Sequence, residues 1–196
     1  MKTDQLTFIH EVKKWAIVAV FSDDDLTERL VLKGGNLLDV VYNISSRASV
    51  DLDFSLEGEF YNLSYLEKKL TNALGTTFSE RGYKVFDINV REVPPGMTED
   101  MKDYWGGYKI DFKIIRLVDY DKYKDDSKSL RNHAQVLNDS GSPRFLIDIS
   151  KHEYCVGKEE RQLENFTIFT YQPVEKLPEG AMVNAEDKSI PGSARG

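Results

Sequence analysis

The stretch Val50-Asp51-Leu52-Asp53-Phe54 constrains this chain more than any other. Side chains on a strand repeat every two residues, so Val50, Leu52 and Phe54 share one face while Asp51 and Asp53 share the other. The two carboxylates then stand roughly 6.6 Å apart along the backbone. Folding asks for no such pair. Like charges so placed repel, and one pKa rises unless a cation sits between them. A divalent metal would remove the strain. Upstream, Gly34-Gly35 precedes a helical run and offers free backbone N–H groups to an anion. Metal and anion together point to a nucleoside triphosphate.

Elements on either side of this stretch are legible from periodicity. Residues 5–21 read as a helix, with Phe8, Val12, Trp15, Ala16 and Ala19 at helical spacing. The run Ser22-Asp23-Asp24-Asp25 breaks it and offers caps for the next segment. Residues 26–32 read as a brief extended piece. Asn36 caps a predicted helix over 37–43, a strand spans 49–56, and Gly58 ends it. The clearest helix runs over 63–81 through Leu63, Leu66, Leu70, Leu74 and Phe78, with Gly82 to stop it. A strand over 83–93 comes next, its alternation slipping at Asp87, and Pro94-Pro95-Gly96 closes it. Residues 108–118 form another strand, with Ile110, Phe112 and Ile114 on one face and Lys109, Asp111 and Lys113 on the other. A short helix within 129–138 and strands at 145–149 and 164–170 complete the set. The expected architecture is α+β: a short mixed sheet with helices packed against one face. One domain covers 1–171, and residues 172–196, rich in Pro, Gly, Glu and Lys, read as a poorly structured tail or a truncated C-terminal region.

Asp111 turns the acidic pair into a candidate triad. If its strand neighbours that of Asp51 and Asp53, the three carboxylates converge, and such hard oxygen ligands suit Mg²⁺ with phosphate oxygens and water. Lys33 and Arg47 are placed to neutralise phosphate charge, and Ser49 lies on the same strand face as Asp51. The glycine pair is neither a Walker A loop nor a dinucleotide fingerprint.

Other classes find little support. His152 and Cys155 are too few for a zinc site. A single cysteine rules out an internal disulfide. The net charge of −7, from 26 basic and 33 acidic residues, disfavours passive binding to nucleic acid or anionic membrane. The first residues lack a signal-peptide core, and the longest apolar run, 16–21, is far too short for a bilayer. A cytoplasmic protein is expected.

The pattern K-G-G-N-L-L, then S-x-D-x-D-F, then I-D-F resembles the nucleotidyltransferase superfamily with the DNA-polymerase-beta-like fold, and more narrowly the AbiEii/AbiGii toxin family. The matching positions are Lys33, Gly34, Gly35 and Leu38, then Arg47, Ser49, Asp51, Leu52 and Asp53, then Asp111. The resemblance implies a nucleotidyltransferase-like fold. It implies catalytic and metal-binding roles for Asp51, Asp53 and Asp111, with Mg²⁺ or Mn²⁺ as cofactor. It places Lys33, Gly34, Gly35, Arg47 and Ser49 around the nucleotide. Glu175-Lys176-Leu177 echoes a family segment that supplies a further lysine, so Lys176 joins the nucleotide-binding set, although Pro178 follows at once and Asn36 replaces a common Thr. The implied activity is transfer of a nucleoside monophosphate from an NTP to a hydroxyl of RNA or protein, as the toxin of an AbiE-like pair with a cognate antitoxin. Two alternatives stand beside it: a small-molecule, aminoglycoside-like nucleotidyltransferase, and a non-catalytic nucleotide-binding or interaction protein.

Overall fold

A computed structural model describes residues 3–33, 40, 51–96, 106–137, 141–151 and 157–171. The elements are α1 (Thr3–Phe21), α2 (Asp24–Arg29), β1 (Leu30–Leu32), β2 (Leu52–Leu56), α3 (Leu63–Glu80), β3 (Tyr83–Val93), β4 (Gly107–Arg116), α4 (Leu117–Tyr123), α5 (Ser127–Asn132), β5 (Phe145–Ser150), β6 (Lys158–Leu163) and β7 (Phe166–Tyr171). The described strands form one mixed sheet in the order β3-β4-β5-β2-β1-β7-β6. Two of its pairings are parallel, β2 with β5 and β1 with β7. The fold is α+β, a mixed sheet flanked by helices, as the sequence implied.

Helix α3 forms where its apolar stripe demands it. Leu66, Leu70, Ala73, Leu74, Thr77 and Phe78 are buried at helical spacing. Asn62 caps its start by accepting from the Tyr65 N–H at 2.8 Å. Gly82, at φ 82°, turns the chain out of it. In α1 the residues from Ala16 to Phe21 are all buried, so the C-terminal end of the helix is enclosed on every side. Asp23 accepts from the Leu26 N–H and caps α2.

Both long helices cover one face of the sheet. A chain of rings records the packing: Trp15 on Phe78 at 5.8 Å, Phe78 on Phe112 at 5.8 Å, and Phe112 on Phe145 at 5.2 Å. Phe21 of α1 meets Phe54 of β2 on the same side. Leu52, Phe54, Ile110, Phe112, Ile147 and Ile149 are buried there. Alternation then sends Asp53, Lys109, Asp111 and Asp148 to the opposite face.

The slip at Asp87 is a β-bulge: register shifts between Phe86 and Asn89, and Asp87 has φ 50°. Its carboxylate accepts from Lys113 and from Arg131, each at 2.7 Å. Strand β4 ends two residues before the expected boundary, where α4 begins. The last predicted strand is a hairpin, β6–β7, turning at Glu164. The predicted helix over 37–43 (apart from Val40), residues 49–50, and the tail 172–196 lie outside the described residues.

Candidate active site

Register places the site. Asp53 of β2 pairs with Asp148 of β5. Asp148 pairs in turn with Lys109 of β4, and Lys109 with Arg91 of β3. On the other flank, the Lys33 N–H donates to the Asp53 carbonyl at 2.9 Å. Residues directly opposite one another share a face. One line of side chains, Lys33, Asp53, Asp148, Lys109 and Arg91, therefore crosses the sheet at right angles to its strands. Cations flank two central acids.

Contacts along the line are direct. The Lys33 ammonium donates to Ser150 Oγ at 3.0 Å, reaching across β2 to β5. Lys109 Nζ stands 3.5 Å from the Asp148 carboxylate, both side chains partly open to solvent. Asp51 lies just before β2, one strand repeat from Asp53. Burial pushes its carboxyl up, and the nearby charges of Asp148 and Asp53 push it further. Lys13, buried on α1, and Lys109 oppose that rise without cancelling it.

Asp111 is elsewhere. Strand β5 stands between β4 and β2, so Asp111 is not a neighbour of the acidic pair. Its partner on β5 is Leu146. Continuing the β2–β5 register sets Asp51 at the same level, two strand spacings or roughly 9–10 Å away. The Asp111 carboxylate instead accepts from Asn89 at 3.0 Å and Arg91 at 2.6 Å. Burial would raise its pKa, but these two hydrogen bonds outweigh it and hold the group below the usual carboxylate range. It is a satisfied acid that ties β3 to β4.

Asp148 occupies the position expected of Asp111. The signal was present: Ile147-Asp148-Ile149 has the same single acid between apolar neighbours as Ile110-Asp111-Phe112. Both strands satisfy the pattern, and only the strand order separates them. Of the other expected site residues, Gly34, Gly35, Arg47, Ser49 and Lys176 lie outside the described residues.

A cavity of about 480 Å³ opens beside Asp53 and Asp148. Val93, Pro94 and Pro95 form one wall, at the end of β3. Gly106 and Gly107 form its floor. A Cβ on Gly107 would stand 2.1 Å from the Ile149 carbonyl oxygen, so only glycine lets β4 approach β5 here. Behind the wall, Lys151 donates to Glu92 at 3.0 Å and lies 4.6 Å from the Tyr108 ring centroid. The Lys151 N–H donates to the Gly106 carbonyl at 2.8 Å. Residues from β3, β4 and the end of β5 are thus braced together at the rim.

The donor chemistry fits a hard divalent cation. Asp51, Asp53 and Asp148 offer only carboxylate oxygens, and the upward push on Asp51, from burial first and then from the charges of Asp148 and Asp53, is one that a cation would oppose. Among the described residues no three His, Cys, Asp or Glu side chains stand close enough to hold an ion by themselves. Oxygen ligands from a substrate would have to complete the shell. No helix among the described residues is long and apolar enough to cross a membrane.

A family model described as "Nucleotidyl transferase AbiEii toxin, Type IV TA system" matches residues 15–179. No curated protein matches the chain.

Proposed function

The chain belongs to the AbiEii nucleotidyl transferase toxin family, and on that premise we propose that it moves a nucleoside monophosphate from an NTP to a hydroxyl of RNA or protein. In this reading it is the toxin of a toxin–antitoxin pair and has a cognate antitoxin. The observation that carries the proposal is the pairing of Asp53 with Asp148 on an open sheet face, one strand repeat from Asp51. Like charges directly opposite one another on a sheet repel, and a cation between them removes the repulsion.

Asp51, Asp53 and Asp148 would hold Mg²⁺ or Mn²⁺, which supplies charge neutralisation to the phosphates when bound. The residues of the chain then divide the remaining tasks. Lys33 and Lys109 flank the carboxylates and would draw the triphosphate onto the face from either side. Gly34, Gly35, Arg47, Ser49 and Lys176 are proposed for the phosphates on the grounds of their motif. The acceptor oxygen attacks the α-phosphorus in line. A new phosphoester bond forms, the bond to the bridging oxygen of the β-phosphate breaks, and pyrophosphate leaves. The hydroxyl proton passes to Asp148, whose position beside both the cavity and Asp53 suits a base near the acceptor.

The test is transfer of label from each α-³²P NTP to RNA and protein acceptors by the full chain. Wild-type protein is expected to label one acceptor class, and Asp53→Asn to label none while keeping its fold by circular dichroism. Label transferred equally by Asp53→Asn would remove the proposal.

A further inference from the structure

The cavity beside the carboxylates has a chemistry of its own. Its size, about 480 Å³, falls within the roughly 300–1,000 Å³ of small-molecule sites. Its charged groups, Asp53, Asp148 and Lys109, belong to the line already described, and Ser150, which accepts from Lys33, lies beside them. The opposite wall offers only the aliphatic side chains of Val93, Pro94 and Pro95. A ligand that suits both sides has a polar end near the acids and a flat apolar body. Pyrrolidine rings present C–H groups to a flat π-face, and such contact is non-directional. Val93, Pro94, Pro95 and the two glycines have no side chain that could read hydrogen bonds on a base edge, and Ser150, which pairs with Gly107, is engaged by Lys33.

The wall is also held in place. Glu92 precedes Val93, and its pairing with Lys151, itself only 7% exposed, anchors the end of β3 to the end of β5. Tyr108, 4% exposed beneath Lys151, ties in β4 as well. Pre-formed walls bind without the cost of ordering a loop.

We infer that this cavity is a nucleoside subsite, in which a base lies flat against Val93, Pro94 and Pro95 while its ribose and phosphate reach the acids. The wall accepts any base and selects weakly among them. The inference rests on the nucleotidyl-transfer reading for its ligand class, and names where on the fold the nucleoside lies. The nucleoside has two possible sources, the incoming NTP or the terminal residue of an RNA acceptor.

Calorimetric titration of the full chain with the four NTPs in Mg²⁺, and with a mixed-sequence single-stranded RNA decamer, tests this. Pro95→Ala removes two ring methylenes from the wall. It is expected to weaken the bound nucleotide roughly five- to tenfold, by a similar factor for all four bases, while leaving inorganic triphosphate binding unchanged. Weakening of the NTPs alone assigns the nucleoside to the donor, and weakening of the decamer alone assigns it to the acceptor. A Pro95→Ala protein that binds NTPs and decamer as wild type overturns the inference, as does a preference above about a hundredfold for one base that Pro95→Ala abolishes. Because substitution at Pro95 can shift the strand end, Val93→Ala serves as the second variant and must act in the same direction. Nucleotide binding sensitive to Pro95 in a chain that transfers no label would keep the subsite and remove the transferase reading. Label transfer untouched by either wall variant, with binding unchanged, would do the reverse.

Discussion

Two aspartates with the same local sequence have opposite fates, and their neighbours decide it. Asp148 stands one strand from Asp53, whereas Asp111 is taken up by Asn89 and Arg91. Asp148→Asn is therefore expected to lower transfer by at least about a hundredfold, the scale of a lost catalytic base. Asp111→Asn should leave turnover within a few-fold of wild type and cost about 1–2 kcal/mol of stability, through loss of its charge-assisted hydrogen bonds. Steady-state label transfer together with urea unfolding of both variants separates the two roles. The reverse pattern would return Asp111 to the active centre. Alternation along the chain told which way each acid points, and that part was legible. Which strands lie side by side is decided by pairings between distant segments, and nothing in I-D-F or I-D-I carries that information.

The β3–β4 hairpin shows how an element can be shaped by a few positions. At its bulge, hydrogen bonding from Arg131, with Lys113 adding to it, lowers the Asp87 pKa to about 2 against burial. A depressed carboxylate pKa contributes stability above the unfolded value and loses it as pH falls through the folded one. The ion-paired bulge should thus add to stability at neutral pH and lose its contribution between about pH 4 and pH 2. Because Asp87 is exposed, the amount is no more than about 1 kcal/mol. Asp87→Asn tolerates the same backbone and is expected to cost that amount at pH 7 and only a small part of it at pH 2, read from denaturant midpoints. At the other end of the hairpin, Gly107→Ala meets the Ile149 carbonyl and should cost about 1–3 kcal/mol. It should also impair transfer more than its stability loss explains, because β5 carries Asp148. The slip at Asp87 was visible in sequence because V-F-D-I-N-V breaks alternation. Strand β6 was not, since K-E-E-R-Q-L at a sheet edge has only Leu163 to bury.

At the scale of the molecule, helices shield one side of the sheet and the acids stand on the other. An NTP with Mg²⁺ that seats on the acidic side should raise the melting temperature. At a hundredfold excess over Kd the linkage is about 2.7 kcal/mol, or roughly 5–10 °C for a chain of this size. Asp53→Asn should lose most of that increment while melting near wild type without ligand. An increment that survives intact in Asp53→Asn would place the nucleotide elsewhere. The helical layer was legible because α1 and α3 are long and strongly patterned, so the apolar side of the sheet had to meet them. On the proposed function, the pairing of Asp53 with Asp148 also bears on when activity first arises during synthesis. These partners are roughly 95 residues apart in the chain, so an emerging polypeptide lacks the pair until β5 has left the ribosome and docked. If the chain acts as proposed, a translation product ending short of that strand would lack the paired acids, and transfer would begin only once both are out.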